Sequence, residues 1–100
     1  MSYGLFTRFP TRPGRRDELT AILLRAAAAM ENNADCLYYT VGTAGEEDAV
    51  CVSEAWTDQS AHAASLDDES ARALIVQARD LLASFPEQTR LTLHGGKGAR

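Results

Sequence analysis

The spacing of apolar residues changes period several times along the chain, and each change marks an element. Residues 3–9, Tyr-Gly-Leu-Phe-Thr-Arg-Phe, are rich in aromatic and β-prone types and predict a strand. Pro10, Pro13 and Gly14 break it. From about residue 15 to 31, Leu19, Ile22, Leu23, Ala26 and Met30 recur on one face of a helix. Asp17 and Glu18 sit in its first turn, where the helix dipole favours negative charge, and Asn32-Asn33 stops it. Strands are expected over about 36–42 and 49–56. The polar, glycine-bearing stretch 43–48 between them reads as the turn of an antiparallel hairpin. A short helix follows over about 59–64, with Asp58 as its N-cap. Ser65 and Asp68 have the spacing of a capping box for a longer helix reaching about Ser84. Its stripe is Ala71, Leu74, Ile75, Ala78, Leu81, Leu82 and Phe85, and Pro86 ends it. A last strand covers about 88–94, and the glycine-rich tail 95–100 is expected to be flexible.

The order β-α-β-β-α-β predicts an α+β, ferredoxin-like fold: a four-stranded antiparallel sheet with both main helices on one face. The helical stripes cover that face. No element remains for the other, yet both strand faces carry apolar groups: Leu5 and Phe9 alternate with Phe6, and Val50, Val52 and Trp56 alternate with Cys51 and Ala55. So large an exposed apolar surface predicts a symmetric homodimer packed sheet to sheet.

Composition narrows the function classes. One hundred residues make a single domain, 1–100, with an ordered core of about 3–94. A net charge of −4 argues against nucleic acid as a partner. Arg8, Arg12, Arg15 and Arg16 are a local exception that reads as a solvated loop and helix start, or as an anion-attracting rim. No apolar run approaches the ~18 residues of a membrane span, and Met1-Ser2-Tyr3 opens no signal peptide, so no membrane association and a cytoplasmic location are expected. Arginine makes up nine of the ten basic residues and alanine is abundant, as in a GC-rich bacterial genome. Cys36 and Cys51 lack zinc-site spacing and read as small hydrophobes at opposite ends of the hairpin, too far apart to bridge.

The stretch from Glu54 to Leu66 concentrates the chemistry. Alternation places Glu54 and Trp56 on one strand face with Val50 and Val52. A carboxylate among such neighbours is either paired structurally or raised in pKa as a catalytic or ligand-binding acid. Trp56 is either core or a wall that stacks on a flat ligand. His62, just past the strand end, has a side chain suited to proton transfer near neutral pH; the plainer alternative is a core or helix-surface histidine. Tyr38 and Tyr39 face opposite ways, so only one can line a given cavity, and Tyr39 is taken as the candidate. Arg72, early on the long helix, is a candidate ligand contact or a solvated charge; His94 reads as exposed. Scattered histidines and cysteines give no metal site, and there is no GxGxxG, P-loop or Gly-x-Ser-x-Gly motif, so no cofactor is expected.

Four pieces carry a family resemblance across about residues 3–94: Arg12-Pro13-Gly14-Arg15, Asp35-Cys36-Leu37-Tyr38-Tyr39, Glu54-Ala55-Trp56, and Ala61-His62-Ala63-Ala64-Ser65-Leu66. Together they resemble the antibiotic biosynthesis monooxygenase domain of the dimeric α/β-barrel superfamily, although Asp35 stands where many relatives have glycine. The resemblance implies a homodimer with a cavity between sheet and helices in each subunit. It also implies a cofactor-independent monooxygenase that uses molecular oxygen on an electron-rich phenol, quinol or polyketide-type aromatic. His62 would then be base or proton shuttle, Trp56 the stacking wall, and Glu54 the group that orients or pairs a polar partner. One alternative is a non-catalytic dimeric module that binds a small aromatic molecule. Another is a heme-degrading oxygenase, but such relatives carry asparagine on the first strand where this chain has Thr7.

Overall fold

The computed structural model describes residues 1–99. Its elements are β1 (Ser2–Pro10), α1 (Arg16–Ala29), β2 (Cys36–Gly42), β3 (Ala49–Trp56), α2 (Gln59–Ser65), α3 (Glu69–Arg79) and β4 (Glu87–Leu93). The strands form one antiparallel sheet in the order β2-β3-β1-β4, the expected ferredoxin-like arrangement. In the β1–β3 ladder Leu5 faces Glu54, Thr7 faces Val52 and Tyr3 faces Trp56. These residues share the face that the helices cover.

Packing is uneven across that face. Leu19, Ile22 and Leu23 of α1 meet Val50 and Val52 of β3, with Leu81, in a tight cluster. The helical stripe of α1 and the central position of β3 account for it, since both bury a continuous apolar line. α3 is different. It has no fully buried residue, and Ile75 and Val76 stay 44% and 60% exposed. Its apolar stripe therefore roofs a hollow instead of closing a core.

Two local expectations are corrected. The long helix ends at Arg79, not near Ser84. Beyond it, Leu81 and Leu82 are drawn toward β1 by backbone bonds: Arg12 N–H to Leu81 O at 2.9 Å and Ala83 N–H to Pro10 O at 2.9 Å. Pairing with a neighbouring segment supersedes the helical period there, and Phe85 ends up 93% exposed. Nor do Ser65 and Asp68 form a capping box. Asp68 is itself the N-cap of α3, accepting from Ala71 N–H, while Ser65 Oγ donates to His62 O and closes α2. Asp58 caps α2 as expected, accepting from Ala61 N–H at 2.8 Å.

The hairpin register pairs Cys36 with Trp56 and Gly42 with Cys51, so the two free thiols stand at opposite ends. On the uncovered face, Phe6 and Leu91 are 39% and 45% exposed. A Cβ at Gly4 would lie 3.0 Å from Leu93 Cγ, so the leucine side chain occupies the space beside the glycine. Gly98 of the tail lies against the Tyr38 ring; Arg100, included in the expected flexible tail, is outside the described residues. Among the described residues no helix is long and apolar enough to cross a membrane.

Candidate active site

The hollow beneath α3 is a cavity of about 480 Å³. Its floor is the inner sheet face: Leu5, Thr7 and Phe9 from β1, Tyr39 from β2, Glu54 and Trp56 from β3, and Gln88 from β4. Leu23 and Ala26 of α1, with Met30 at its C-cap, form one side. His62 and Ser65 of α2 and Leu74, Ile75 and Ala78 of α3 form the roof. Leu66, Phe85 and Pro86 rim it. The lining is mainly hydrocarbon with a few convergent polar groups, the usual character of a small-molecule site.

Those polar groups are organised around one carboxylate. Trp56 Nε1–H donates to Glu54 Oε1 at 2.9 Å. The two residues are separated by one position on the same strand face, so alternation alone brings indole and carboxylate together. His62 Nε2 lies 3.7 Å from the same oxygen, beyond a hydrogen bond. The Asp58 cap starts α2 directly after β3, and this turns the His62 ring back over the sheet. The ring meets Trp56 edge-on, with centroids 5.5 Å apart and planes at 65°, and the Tyr3 ring lies 5.7 Å away, tilted by 37°.

Burial sets the direction in which these groups titrate. Burial raises the Glu54 carboxyl above its ordinary pKa, with the Trp56 hydrogen bond opposing the shift. Burial also lowers the His62 imidazole below its ordinary value, and the Arg90 cation adds to that. A carboxylate at 3.7 Å favours imidazolium, but the cost of placing charge among hydrocarbon walls outweighs one contact beyond hydrogen-bond length. His62 is therefore a neutral imidazole beside an acid whose own charge is costly. Tyr39 is raised strongly by burial, then by the Glu54 and Cys36 charges, and remains a neutral phenol. Burial likewise pushes the Cys36 thiol up to about 11, with Glu54 adding to it.

Four of the five candidates read from the sequence, Glu54, Trp56, His62 and Tyr39, meet in this cavity. Arg72 does not. It is exposed and pairs with Asp67 at 3.4 Å, near the start of α3. Arg79 lines the cavity instead. Sequence reasoning missed Tyr3, whose place depends on its cross-strand pairing with Trp56. It also gave Thr7 no role, although a hydroxyl between Leu5 and Phe9 on an apolar strand face is a legible signal. Among the described residues, no group of three or more His, Cys, Asp and Glu side chains comes together to hold a metal ion.

The family model for antibiotic biosynthesis monooxygenase matches residues 2–77. A candidate antibiotic biosynthesis monooxygenase from Chloroflexus aurantiacus J-10-fl is 34% identical, with 96% of each chain covered and a TM-score of 0.86. A protein from Mycobacterium tuberculosis superposes with a TM-score of 0.86 at 18% identity, covering 97% of this chain and 99% of its own. A mutant of SnoaB, a cofactor-independent oxygenase from Streptomyces nogalater, gives 0.80 at 18% identity with 96% of each chain covered. At 18% identity these last two speak to the fold alone. No curated protein matches the chain.

Proposed function

The chain belongs to the antibiotic biosynthesis monooxygenase family, and from that premise we propose that it is a cofactor-independent monooxygenase of an electron-rich phenol, quinol or polyketide-type aromatic. The observation that carries this reading is the His62 imidazole set 3.7 Å from the buried Glu54 carboxyl in an apolar cavity of about 480 Å³. The cofactor-independent oxygenase SnoaB shares the fold, which supports it.

Each residue has a defined task. Trp56 and the hydrocarbon walls receive the flat ring system. His62 accepts a proton from the activated carbon or hydroxyl of the substrate. Glu54 then faces the new imidazolium at 3.7 Å and stabilises it. The electron-rich anion reduces dioxygen by one electron, and the resulting radical pair combines to a substrate peroxide. For a methylene flanked by phenolic rings, His62 returns its proton to give the hydroperoxide, which loses water to leave a carbonyl. One oxygen atom enters the product and the other leaves as water, and the methylene supplies all four electrons. Walls that exclude water hold the anion and peroxide apart from solvent protons.

We further propose that the working unit is a homodimer. Phe6 and Leu91 on the uncovered sheet face are 39% and 45% exposed, and a second copy packed there would remove them from water.

Oxygen uptake with a panel of hydroquinones and anthrones tests the reaction. Uptake that requires His62 supports it. Tight binding of these compounds with no uptake refutes the catalytic reading and leaves a small-molecule-binding module.

A further inference from the structure

Residues 58–80, which hold α2 and α3, are fastened at both ends and lightly held between them. At the first end Thr57 N–H donates to Asp35 O at 2.9 Å, and Thr57 Oγ1–H donates to Asp35 Oδ1 at 3.2 Å. At the other end Leu81 is 6% exposed in the core cluster, and backbone bonds join Leu81 and Ala83 to Arg12 and Pro10. Between these clamps neither helix has a fully buried residue. Leu74 and Ala78 touch the edge of the core, and Arg25 Nη2–H of α1 donates to Gln77 Oε1 at 2.8 Å at an exposed site. The rest of the apolar stripe, Ala71 and Ile75 included, faces the cavity. Helices of seven and eleven residues are marginal in water and draw their stability from packing. Over a hollow, that packing is what α2 and α3 lack.

This lightly held segment carries the histidine. His62 Nε2 stands 3.7 Å from Glu54 Oε1, outside a hydrogen bond, and the two groups sit on different bodies: Glu54 on the interior strand β3, His62 on α2. Lifting the segment uncovers the cavity and takes the imidazole away from the carboxyl. Lowering it onto a ligand gives the α3 stripe the contacts it lacks and returns the imidazole to the site. We infer that residues 58–80 are a lid, hinged at Thr57–Asp58 and at Asp80–Leu81 and latched to α1 through Arg25 and Gln77. The lid opens to admit a ligand and assembles the His62–Glu54 pair as it closes. Its opening is a local unfolding, because helices this short unravel once they leave the protein. The inference goes beyond the proposed reaction; it rests on the ligand-binding half of that reading, not on turnover.

Amide hydrogen exchange of the intact protein, resolved by residue, tests it. The hydrogen-bonded amides of α2 and α3 should share one protection factor, roughly tenfold or more below that of the interior amides of α1. Gln77→Ala, at an exposed position, should lower protection in α2 and α3 about threefold, the scale of one lost surface hydrogen bond, and leave α1 and the strands unchanged. Saturation with 1-naphthol should raise protection in α2 and α3 more than in α1. Protection of α3 equal to that of α1, unrelated protection in α2 and α3, no selective effect of Gln77→Ala, or no rise with 1-naphthol overturns the inference. Oxygen uptake enters none of these readouts. A lid that behaves as described in a protein without uptake sinks the monooxygenase reading alone. Uptake by a protein whose α3 is protected like α1 sinks the lid alone.

Discussion

Replacing Glu54 by glutamine tests the central electrostatic claim without knowledge of the substrate. Glu54 is 9% exposed, and its side chain has one hydrogen bond, from Trp56 Nε1–H to Oε1. An amide has nearly the same shape and keeps that bond. What it removes is a charge that the lining does not solvate. Incompletely satisfied buried polar groups cost about 1–3 kcal/mol, so the variant should gain about 1 kcal/mol at pH 7.5. In a domain of this size that corresponds to a rise of about 4 °C or more in melting temperature. The sign with pH is fixed. Burial raises the carboxyl's folded-state pKa, so the native protein loses stability as pH rises above the unfolded value of about 4.3. The gap between variant and native protein should therefore be open at pH 7.5 and nearly closed at pH 4. Urea unfolding at the two pH values measures it. A variant clearly less stable than the native protein at pH 7.5 would refute the reasoning, since Glu54 would then be a stabilised anion paired with imidazolium. Turnover should move the other way. Two full charges at 3.7 Å interact by about 4 kcal/mol at an effective dielectric of 20, and half of that, for charge partly developed, lowers turnover roughly 30-fold.

Four more outcomes follow from the structure. His62→Ala should lower turnover by about 10²-fold, the scale of lost acid–base help, with a melting temperature within a few degrees of the native value; unchanged turnover removes His62 from the mechanism. Because burial depresses the His62 pKa, the native rate should already be level by about pH 6.5, and stability should fall as pH drops below that unfolded-state value, a slope that His62→Ala lacks. Cys36, with its thiol pushed up to about 11, should alkylate slowly at pH 8 in the folded protein and quickly in urea, and fast alkylation of the folded protein contradicts the desolvated thiol; non-reduced peptide maps should show no Cys36–Cys51 link, and such a link contradicts the hairpin register. Sedimentation at micromolar concentration should give twice the 10.8 kDa chain mass, and a monomer would leave Phe6 and Leu91 on an unexplained apolar face.

The elements and their order were legible in the chain, because each follows from residue types and periodicity within its own segment. It placed Glu54 and Trp56 on one face, since alternation along a strand is a backbone property. It brought Asp58 to the start of α2, since capping chemistry is local. Local rules failed where a distant segment competed. The apolar period through Leu81, Leu82 and Phe85 continues the helix on paper, but backbone bonds to Pro10 and Arg12 end it at Arg79. Arg72 and Arg79 are alike in sequence, and only the packing of α3 decides that Arg79 lines the cavity while Arg72 pairs with Asp67 in solvent. Register brought Tyr3 beside His62 and left Thr7 without a partner, and register is a relation between strands, not a property of either one. The residue types of the site were legible because they are chemically rare on an apolar face. Their protonation states were not, because desolvation is set by which walls close around a group, and only the tertiary structure builds those walls.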